Sequence, residues 1–319
     1  WSDFPQRQEE ARAAGRYLGI GLANFVEATG RGPYEQVNVR IAASGKIEVM
    51  TGAAAMGQST KTMIAQIVAE QLGGAMERIN VTAGDSGKVS MGFGGFNSRQ
   101  AVVGGSSAHV AAVKVREKTL LAASHMLEGT GDDLHIDGNH VAAGFVLPGN
   151  LLPGLEATEN VVIDAMTYGN GTAIAEVEVD IETAAVKINR VVFMHDAGKI
   201  INPMIADGQV VGAIAHGIGN ALYEWMAYDD EGQPMTTTLA DYLLVTASEM
   251  PVLDLGHRET PTPLNPLGVK GIGESGVLPI PAAIASAVED ALSPFGVRIR
   301  QFPIRPKDLA IMIEAARGA

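Results

Sequence analysis

Apolar and polar residues alternate at positions 37–41 and again at 47–49, and the dipeptide Ser44-Gly45 lies between the two runs. Alternation with a period of two is typical of a half-buried β-strand, and a short glycine-containing loop joins such strands in a hairpin. Between positions 63 and 72, apolar residues recur with the 3.6-residue period of a helix. The pattern therefore predicts a β-hairpin followed by an amphipathic helix.

Capping residues set the expected ends of this helix. Ser59 or Thr60 would cap its first turn, and Gly73-Gly74 would end it. Further helices are predicted at residues 8–16, 107–127 and 210–225, and from Pro281 to just before Pro294.

The same order of elements returns in the second half of the chain. Apolar residues alternate with polar ones at 177–181 and 186–191, and a helix follows from about Val210 to Trp225. The dipeptide Gly57-Gln58 precedes the helix of the first unit, and Gly208-Gln209 precedes that of the second. We interpret this as an internal duplication, the alternative being that two hairpin–helix units arise by chance.

The strand and helix patterns predict an α+β fold that is built from duplicated hairpin–loop–helix units. Residues 1–35 would form an N-terminal lead, residues 36–155 a first repeat, and residues 156–319 a second repeat. A stretch rich in glycine, proline, leucine and asparagine, from Gly144 to Gly154, would join the repeats.

Composition limits the functions that this fold can have. The 319 residues carry a formal net charge of −13, which argues against nucleic acid or an anionic membrane as the main partner. With no cysteine, the chain alone provides no thiolate metal site, no iron–sulfur cluster and no cysteine nucleophile. The 38 glycines indicate tight turns or close backbone approaches.

The sequence also shows neither a membrane-spanning segment nor a signal peptide. No run of about 18 apolar residues is present, and the first residues lack the apolar segment of a signal peptide. We therefore expect a cytoplasmic protein with no membrane partner. Because the chain begins at Trp1 rather than Met, we also expect a trimmed or split piece of a longer product.

Two glycine-containing loops precede predicted helices and could bind an anion. One is Gly57-Gln58 and the other is the segment 94–100, in which Arg99 adds a full positive charge. Neither matches the dinucleotide fingerprint G-x-G-x-x-G or a P-loop. Taken alone, each is more simply explained as a glycine turn.

Glu274 stands among four glycines, at positions 268, 271, 273 and 276. A carboxylate with so little side-chain bulk around it is accessible to a large ligand and could act as a general base. The alternative is a solvated glutamate on a surface loop, which the residues alone favour.

The seven histidines show no metal-binding spacing, so we expect no metal held by protein side chains. The dipeptide His195-Asp196 resembles part of a hydrolase dyad, but no G-x-S-x-G motif accompanies it. A serine hydrolase is therefore a poor interpretation.

Taken together, a series of motifs resembles the C-terminal half of the molybdopterin-binding large subunit of molybdenum hydroxylases, the family of xanthine dehydrogenase and aldehyde oxidase. In chain order they are Met56-Gly57-Gln58, Gln66-Ile67, Ala69-Glu70-Gln71-Leu72-Gly73, Gly84-Asp85-Ser86, Ser98-Arg99, Glu176-Val177-Glu178-Val179-Asp180, His195-Asp196-Ala197-Gly198, Ile201-Asn202-Pro203, Asp207-Gly208-Gln209-Val210 and Gly268-Val269-Lys270-Gly271-Ile272-Gly273-Glu274. The resemblance covers about residues 10 to 310.

The resemblance implies a molybdenum cofactor, in the molybdopterin cytosine dinucleotide form, whose metal is held by the pterin dithiolene rather than by the protein. Glu274 would be the base that takes a proton from a molybdenum-bound hydroxide, so that the oxygen attacks an electron-poor carbon and a hydride passes to a sulfido ligand. The implied cofactor contacts are Gly57, Gln58, Asn97, Ser98, Arg99, Gln100, Gln209, Lys270, Gly271 and Gly273.

Some positions depart from the family pattern. Ser59 stands where the family usually has glycine, Phe96-Asn97 replaces small residues, and residues 183–185 replace a Thr-Gly turn. The N-terminal half of the family, with its apical glutamine and its F-R-G-F-G-G-P-Q loop, has no counterpart in this sequence.

The resemblance therefore implies several partners: a second molybdopterin subunit or the N-terminal half, a [2Fe-2S] subunit and an FAD subunit. The substrate would be a small N-heteroaromatic ring, in the first place an N-heteroaromatic acid, or an aldehyde. The alternative function is a non-catalytic scaffold or assembly subunit of such a complex, which has no reason to keep Glu274 between glycines.

Overall fold

The computed structural model describes residues 2–42, 44–127 and 154–318. In these ranges the chain forms two four-stranded sheets and six α-helices, which confirms the α+β class. The strands are β1 (Tyr17–Thr29), β2 (Gln36–Ile41), β3 (Ile47–Thr51), β4 (Ile79–Ala83), β5 (Glu156–Asn160), β6 (Thr167–Val179), β7 (Val186–Asp196) and β8 (Val252–His257). The helices are α1 (Phe4–Ala13), α2 (Thr60–Leu72), α3 (Ser106–Leu127), α4 (Pro203–Leu222), α5 (Ile280–Ala291) and α6 (Pro306–Arg317).

The first sheet has the strand order β4-β3-β2-β5. Strands β2 and β3 form the predicted antiparallel hairpin, in which Val39 lies opposite Val49. Helix α2 then leads to β4, which runs parallel to β3. Apolar residues of α2 and α3 pack on the valines of this hairpin and form one hydrophobic core.

The second sheet has the strand order β1-β6-β7-β8. Strands β6 and β7 form the second predicted hairpin, and α4 then leads to β8, which runs parallel to β7. Strand β1 pairs antiparallel with β6 along its whole length. A second core forms between this sheet and residues of α4, α5 and α6.

Both sheets thus contain a hairpin, a crossover helix and a parallel third strand, which is the order expected of a duplicated unit. The division of the chain into a lead (residues 1–35), a first repeat (36–155) and a second repeat (156–319) stays a prediction. β1, which falls in the predicted lead at residues 1–35, is an edge strand of the second sheet. The predicted joint lies outside the described residues except for Gly154.

Helix α4 begins at Pro203 and not near Val210, so the prediction of a loop ending in Gly208-Gln209 was wrong. The Asn202 side chain accepts a hydrogen bond from the Ile205 amide, and Pro203 occupies the first turn, where its missing N–H costs nothing. Gln209 is therefore a helical residue, whereas Gly57-Gln58 lies in a loop before α2. The two Gly-Gln dipeptides are not structural equivalents.

The boundaries of α2 show one confirmed expectation and one error. Gly73 ends the helix in the left-handed conformation, at φ 63°. Ser59 is also left-handed, at φ 61°, and its side chain makes no capping hydrogen bond. Glycine adopts that conformation without strain, so Ser59 stands where the backbone favours glycine. Ala184, in the segment 183–185 that replaces a Thr-Gly turn, is also left-handed, at φ 55°.

Helices α3 and α5 occur where the spacing predicts them, whereas α1 begins at Phe4 rather than at Gln8. In the described ranges, no helix combines the length and the apolar character needed to cross a membrane.

Strand β1 packs directly on the backbone of α5. A Cβ atom built on Gly21 would lie 2.1 Å from the carbonyl oxygen of Ala283, and one on Gly19 would lie 2.0 Å from that of Ala287. Only glycine permits this approach, which brings the C-terminal end of β1 to the site described below.

We predict that Gly21→Ala destabilises the protein, because the added methyl group must push β1 off α5 at a cost of about 1–3 kcal/mol. Gly208→Ala is the control, because a Cβ at Gly208 in α4 meets no atom within 4 Å and alanine favours the helix by up to about 1 kcal/mol. Thermal unfolding of the two variants would measure the difference. Equal midpoints for Gly21→Ala and wild type would contradict the packing argument.

Candidate functional site

A cavity lies where loops and helices of the two units meet. Its wall contains the first turns of α2 and α4, the start of a π-helical turn at residues 100–105, and the loops at 197–202 and 269–273. The predicted cofactor contacts that line it are Gln58, Ser98, Gln100, Gln209, Lys270 and Gly273. Gly57, Asn97, Arg99, Gly271 and the predicted base Glu274 lie around it without forming its wall.

Three helical segments begin at this cavity. Thr60 in the first turn of α2, Gln100 in the π-helical turn and Ala206 in the first turn of α4 all line it. The first N–H groups of a helix have no partner within the helix and carry partial positive charge, so such ends attract anions. The cavity can therefore hold an anionic group although the chain as a whole is acidic.

Arg99 does not provide charge to this cavity. Its side chain is 0% exposed and forms a buried ion pair with Glu35, with 2.8 Å between Nη1 and Oε2. Its other N–H groups donate to the carbonyl oxygens of Arg31, Tyr34 and Gly94, at 2.8–2.9 Å. The Arg99 guanidinium therefore fixes the shape of the glycine loop, and a contact of Arg99 with the cofactor stays a prediction that concerns its backbone only.

Glu35 holds the same loop from its other side. Its carboxylate accepts hydrogen bonds from the backbone amides of Phe93 and Gly94, at 3.1–3.3 Å, in addition to the ion pair with Arg99. A buried charge that is both paired and hydrogen-bonded avoids most of the desolvation penalty. The loop at 92–99 is consequently anchored by a buried ion pair, although most of its residues lie at the surface.

Asn97 ties this loop to the end of β1. Its Nδ2 donates to the Ala28 carbonyl oxygen at 2.9 Å, its Oδ1 accepts from the Arg31 amide, and its own carbonyl oxygen accepts from the Gly30 amide. Its φ of 54° is left-handed, a conformation that asparagine tolerates better than most residues. Asn97 therefore positions Ser98 rather than facing the cavity.

Gly271 allows the second loop to reach Ser98. A Cβ on Gly271 would lie 2.4 Å from both Cβ and the carbonyl oxygen of Ser98 and 2.6 Å from Cβ of Thr29. The Gly271 amide donates to Thr29 Oγ1 at 2.8 Å. Both glycine loops thus meet at the end of β1.

Glu274 is held at this meeting point by Ser98. The Ser98 hydroxyl donates to Glu274 Oε2 at 2.9 Å, and the Glu274 amide donates to Ser98 Oγ at 3.2 Å. The carboxylate is exposed, so a ligand in the neighbouring cavity can reach it. The structure thus gives Glu274 a fixed position that a solvated loop residue would lack.

Glu27 is a member of the site that the motifs did not indicate. It is 9% exposed and its Oε1 lies 3.0 Å from Ser98 Oγ. Burial and a hydrogen bond with Glu274 raise the pKa of Glu27 to about 7, although Ser98 acts in the opposite direction. The signal was in the alternation of β1, which places Glu27 between Phe25 and Thr29 on the buried face.

Lys270 lines the cavity, but its ammonium group forms an ion pair with Asp196. Nζ lies 2.8 Å from Asp196 Oδ2 and donates to Thr260 Oγ1 at 3.1 Å. Burial acts to raise the pKa of Asp196, but the hydrogen bonds from Lys270 and from backbone amides outweigh it, so the pKa is lowered. Asp196 is therefore an ionised partner of Lys270.

His195 is not part of a dyad with Asp196. Its ring is buried, and the ring centroid lies 4.5 Å from that of His257. Burial, and secondarily the neighbouring His257, lower the pKa of His195 to about 4, so the ring is neutral. The hydrolase interpretation has no support in this geometry. Among the described residues, no group of three His, Cys, Asp or Glu side chains could hold a metal ion.

Three glutamine side chains line the cavity, and they differ in how many hydrogen bonds they already make. Gln58 Nε2 donates to the Ala54 carbonyl oxygen, and Gln100 donates to the same oxygen while accepting from the Thr60 hydroxyl. Gln209, in contrast, makes no hydrogen bond with the described residues. Its amide is available to a ligand.

Two other cavity residues were not among the predicted site residues, although Asn202 belongs to one of the motifs. Lys199 is exposed in the loop before α4 and contributes a cation to the wall. Asn202, which caps α4, donates to Gln66 Oε1 of α2 at 3.0 Å and so connects the two units. The order Ile201-Asn202-Pro203 is an N-cap signal that could have found the true start of α4.

Comparisons with known proteins agree on one family. The model of the molybdopterin cofactor-binding domain matches residues 1–251. The chain is 36% identical over 97% of its length to the 6-hydroxypseudooxynicotine dehydrogenase complex subunit gamma of Paenarthrobacter nicotinovorans, of which it covers 41%. It is 35% identical over 99% of its length to the nicotine 6-hydroxylase large subunit of the same organism, of which it covers 42%.

Solved structures give the same result. Quinoline 2-oxidoreductase from Pseudomonas putida 86 superposes with a TM-score of 0.90 and 38% identity, over 98% of this chain and 44% of that one. The chain thus spans less than half the length of these proteins.

We predict that Gly271→Ala destabilises the site, whereas Gly273→Ala, two residues away, does not. A Cβ on Gly271 collides with Ser98, and one on Gly273 makes ordinary contacts at 3.6 Å with Ser98 Oγ and 3.7 Å with Gln209 Oε1. Overpacking costs about 1–3 kcal/mol. Denaturant titration would measure the two free energies of unfolding, and equal values would exclude the collision.

Proposed function

The chain belongs to the family of molybdopterin cofactor-binding domains of molybdenum hydroxylase large subunits, and we propose that it forms the cofactor-binding part of such an enzyme, with Glu274 as the base. The observation that carries this proposal is the position of the Glu274 carboxylate. It is fixed by Ser98 beside a cavity whose wall contains helix N-termini and an unpaired amide.

The residues of the cavity fit a pterin cofactor with phosphate groups. The Gln209 amide has no partner among the described residues, Ser98 faces the cavity, and the helix N-termini provide donors to anions. The backbone at Gly57 lies in open space at φ 94°, so a ligand can approach it closely. Membership of this family implies that the metal is held by the dithiolene of the pterin, which agrees with the absence of cysteine from the chain.

The molybdenum cofactor, when bound, supplies a redox-active metal that accepts two electrons from the substrate carbon while an oxygen atom derived from water is added. In this reaction Glu274 accepts the proton of the oxygen nucleophile. Ser98 holds the carboxylate in place through its hydroxyl, Gly271 lets the loop of Glu274 approach Ser98, and Gly273 lines the cavity without a side chain.

This chain covers less than half the length of the relatives described above. We therefore infer that the rest of the active site is on another polypeptide or segment. We propose a complementary molybdopterin subunit or N-terminal half, which orients the substrate. Without cysteine, the chain needs a [2Fe-2S] subunit to remove electrons, and an FAD subunit would pass them on.

The substrate proposed is an N-heteroaromatic compound that is hydroxylated at an electron-poor ring carbon. Two of the similar proteins are named for nicotine and quinoline, both of which contain such a ring. The cofactor is proposed to be in the molybdopterin cytosine dinucleotide form.

We predict that the purified complex contains molybdenum and releases CMP on acid hydrolysis in an equal molar amount. Metal analysis and nucleotide chromatography would measure both. A complex that is fully assembled but contains neither would refute the proposed function and favour a scaffold role.

We also predict that Glu274→Gln lowers substrate-dependent dye reduction by about 10²–10⁴-fold, because the amide cannot accept the proton. The control is Glu178→Gln, on the outer part of β6, where the carboxylate only pairs with Arg16 at the surface. Molybdenum content should be the same in both variants. Turnover of Glu274→Gln within a few-fold of wild type would show that Glu274 is not the base.

A further inference from the structure

Ser98 connects two glutamates, of which only Glu274 has a role in the proposed function. Ser98 Oγ lies 2.9 Å from Glu274 Oε2 and 3.0 Å from Glu27 Oε1. The other oxygen of Glu27, Oε2, is buried and has no hydrogen-bond partner among the described residues. Glu27 is therefore a buried carboxyl group that shares the Ser98 hydroxyl with Glu274 and also interacts directly with the Glu274 carboxyl group.

The number of available protons limits how Glu27, Ser98 and Glu274 can be hydrogen-bonded to one another. A serine hydroxyl has one proton and can donate to one carboxylate only. Ser98 Oγ makes two full hydrogen bonds to these carboxyl groups when one of the groups is itself protonated and donates to it. In that arrangement the three groups together hold one proton more than two carboxylates and a hydroxyl would.

Burial decides which carboxyl group holds that proton. Glu27 is buried and Glu274 is exposed, and burial disfavours the charged form. If Glu27 were ionised, its Oε2 would be a buried charged oxygen without a partner among the described residues.

The two cations of the neighbouring loops do not compensate for this charge. The neighbours of Glu27 are Gly169 on β6, Ser98 on the glycine loop and Glu274 on the last loop. Arg99 directs its guanidinium to Glu35, and Lys270 binds Asp196. The charged group that acts on Glu27 is therefore Glu274, with the same sign.

We propose that Glu27 is a positioning residue that stays protonated and donates to Ser98 Oγ, so that Ser98 donates its own proton to Glu274. A neutral Glu27 leaves a single negative charge in the chain of three groups, on Glu274, where a base is needed. This inference rests on the proposed role of Glu274. It adds that the hydrogen bond which holds the base depends on a second, buried carboxyl group on β1.

The pKa of about 7 for Glu27 is consistent with this arrangement. Below about pH 7 Glu27 is neutral and Ser98 donates to Glu274. As the pH rises through this value, Glu27 ionises and competes for the Ser98 proton. Glu274 then loses its donor and gains a like charge nearby.

The first test is infrared spectroscopy of the assembled complex as a function of pH. We expect a carboxylic acid C=O band that disappears with a midpoint near pH 7. It should be missing in Glu27→Gln and unchanged in the control Glu178→Gln. In Glu274→Gln its midpoint should fall, because the charge that raises the pKa of Glu27 is gone.

The second test is the pH profile of kcat/KM. A glutamine side chain resembles the protonated acid, so Glu27→Gln should be within a few-fold of wild type below about pH 7 and should lack the inflection that wild type shows near that pH. A residue with a purely structural role would lower activity equally at every pH. Glu27→Ala should lose more activity than Glu27→Gln, because alanine leaves Ser98 without its donor.

The outcomes separate this inference from the proposed function. If wild type has no acid band that titrates near pH 7, or if Glu27→Gln keeps the band and the inflection, the inference is refuted while Glu274 can still be the base. If Glu274→Gln is fully active, the proposed function fails whatever the infrared spectrum shows. Should Glu27→Gln fail to assemble, Ser98→Ala decides: the midpoint of the band must rise, since Ser98 lowers the pKa of Glu27, and an unchanged midpoint refutes the inference.

Discussion

The close contact between Gly271 and Ser98 is the constraint on which the site depends. With a Cβ at Gly271 the two backbones could not approach, since that atom would lie 2.4 Å from the Ser98 carbonyl oxygen. The contact brings a loop that follows β8 against a loop that precedes α3. Thr29 at the end of β1 receives the Gly271 amide, so one strand end supports both loops. The position of Glu274 follows from this junction, because Ser98 binds it from the opposite loop.

The buried ion pair of Arg99 and Glu35 gives the first of these loops its rigidity. Removing one member of a buried pair typically costs about 3–5 kcal/mol, because the other charge stays without a partner. The pair is therefore poor evidence of added stability but good evidence of a fixed geometry. It holds Asn97 and Ser98 in left-handed conformations, at φ 54° and 48°, which a free loop would relax.

The parts of the fold that the sequence predicts are those that depend on local periodicity. The hairpin of β2 and β3 and the helix α2 follow from the alternation and spacing of apolar residues. The start of α4 was misjudged because Gly208 was interpreted as a loop residue, although a glycine inside a helix is tolerated at a cost of about 1 kcal/mol. The burial of Arg99 and the contact of Glu27 with Ser98 were not predictable, because their partners are far away in sequence. A charged residue between Phe25 and Thr29 on an alternating strand was the available hint for Glu27.

The distribution of charge explains how an acidic chain could hold an anionic cofactor. Arg99 and Lys270, the two cations in the family motifs, are neutralised internally by Glu35 and Asp196. The attraction for phosphate would then come from backbone N–H groups at helix N-termini and from the Gln209 amide, with Lys199 at the rim. Donors of this kind are fixed in direction, so they favour an anion of the right shape over anions in general. The same argument applies to Glu274, the proposed base: since Arg99 and Lys270 are already paired, protonation of Glu27 would keep a second negative charge away from Glu274.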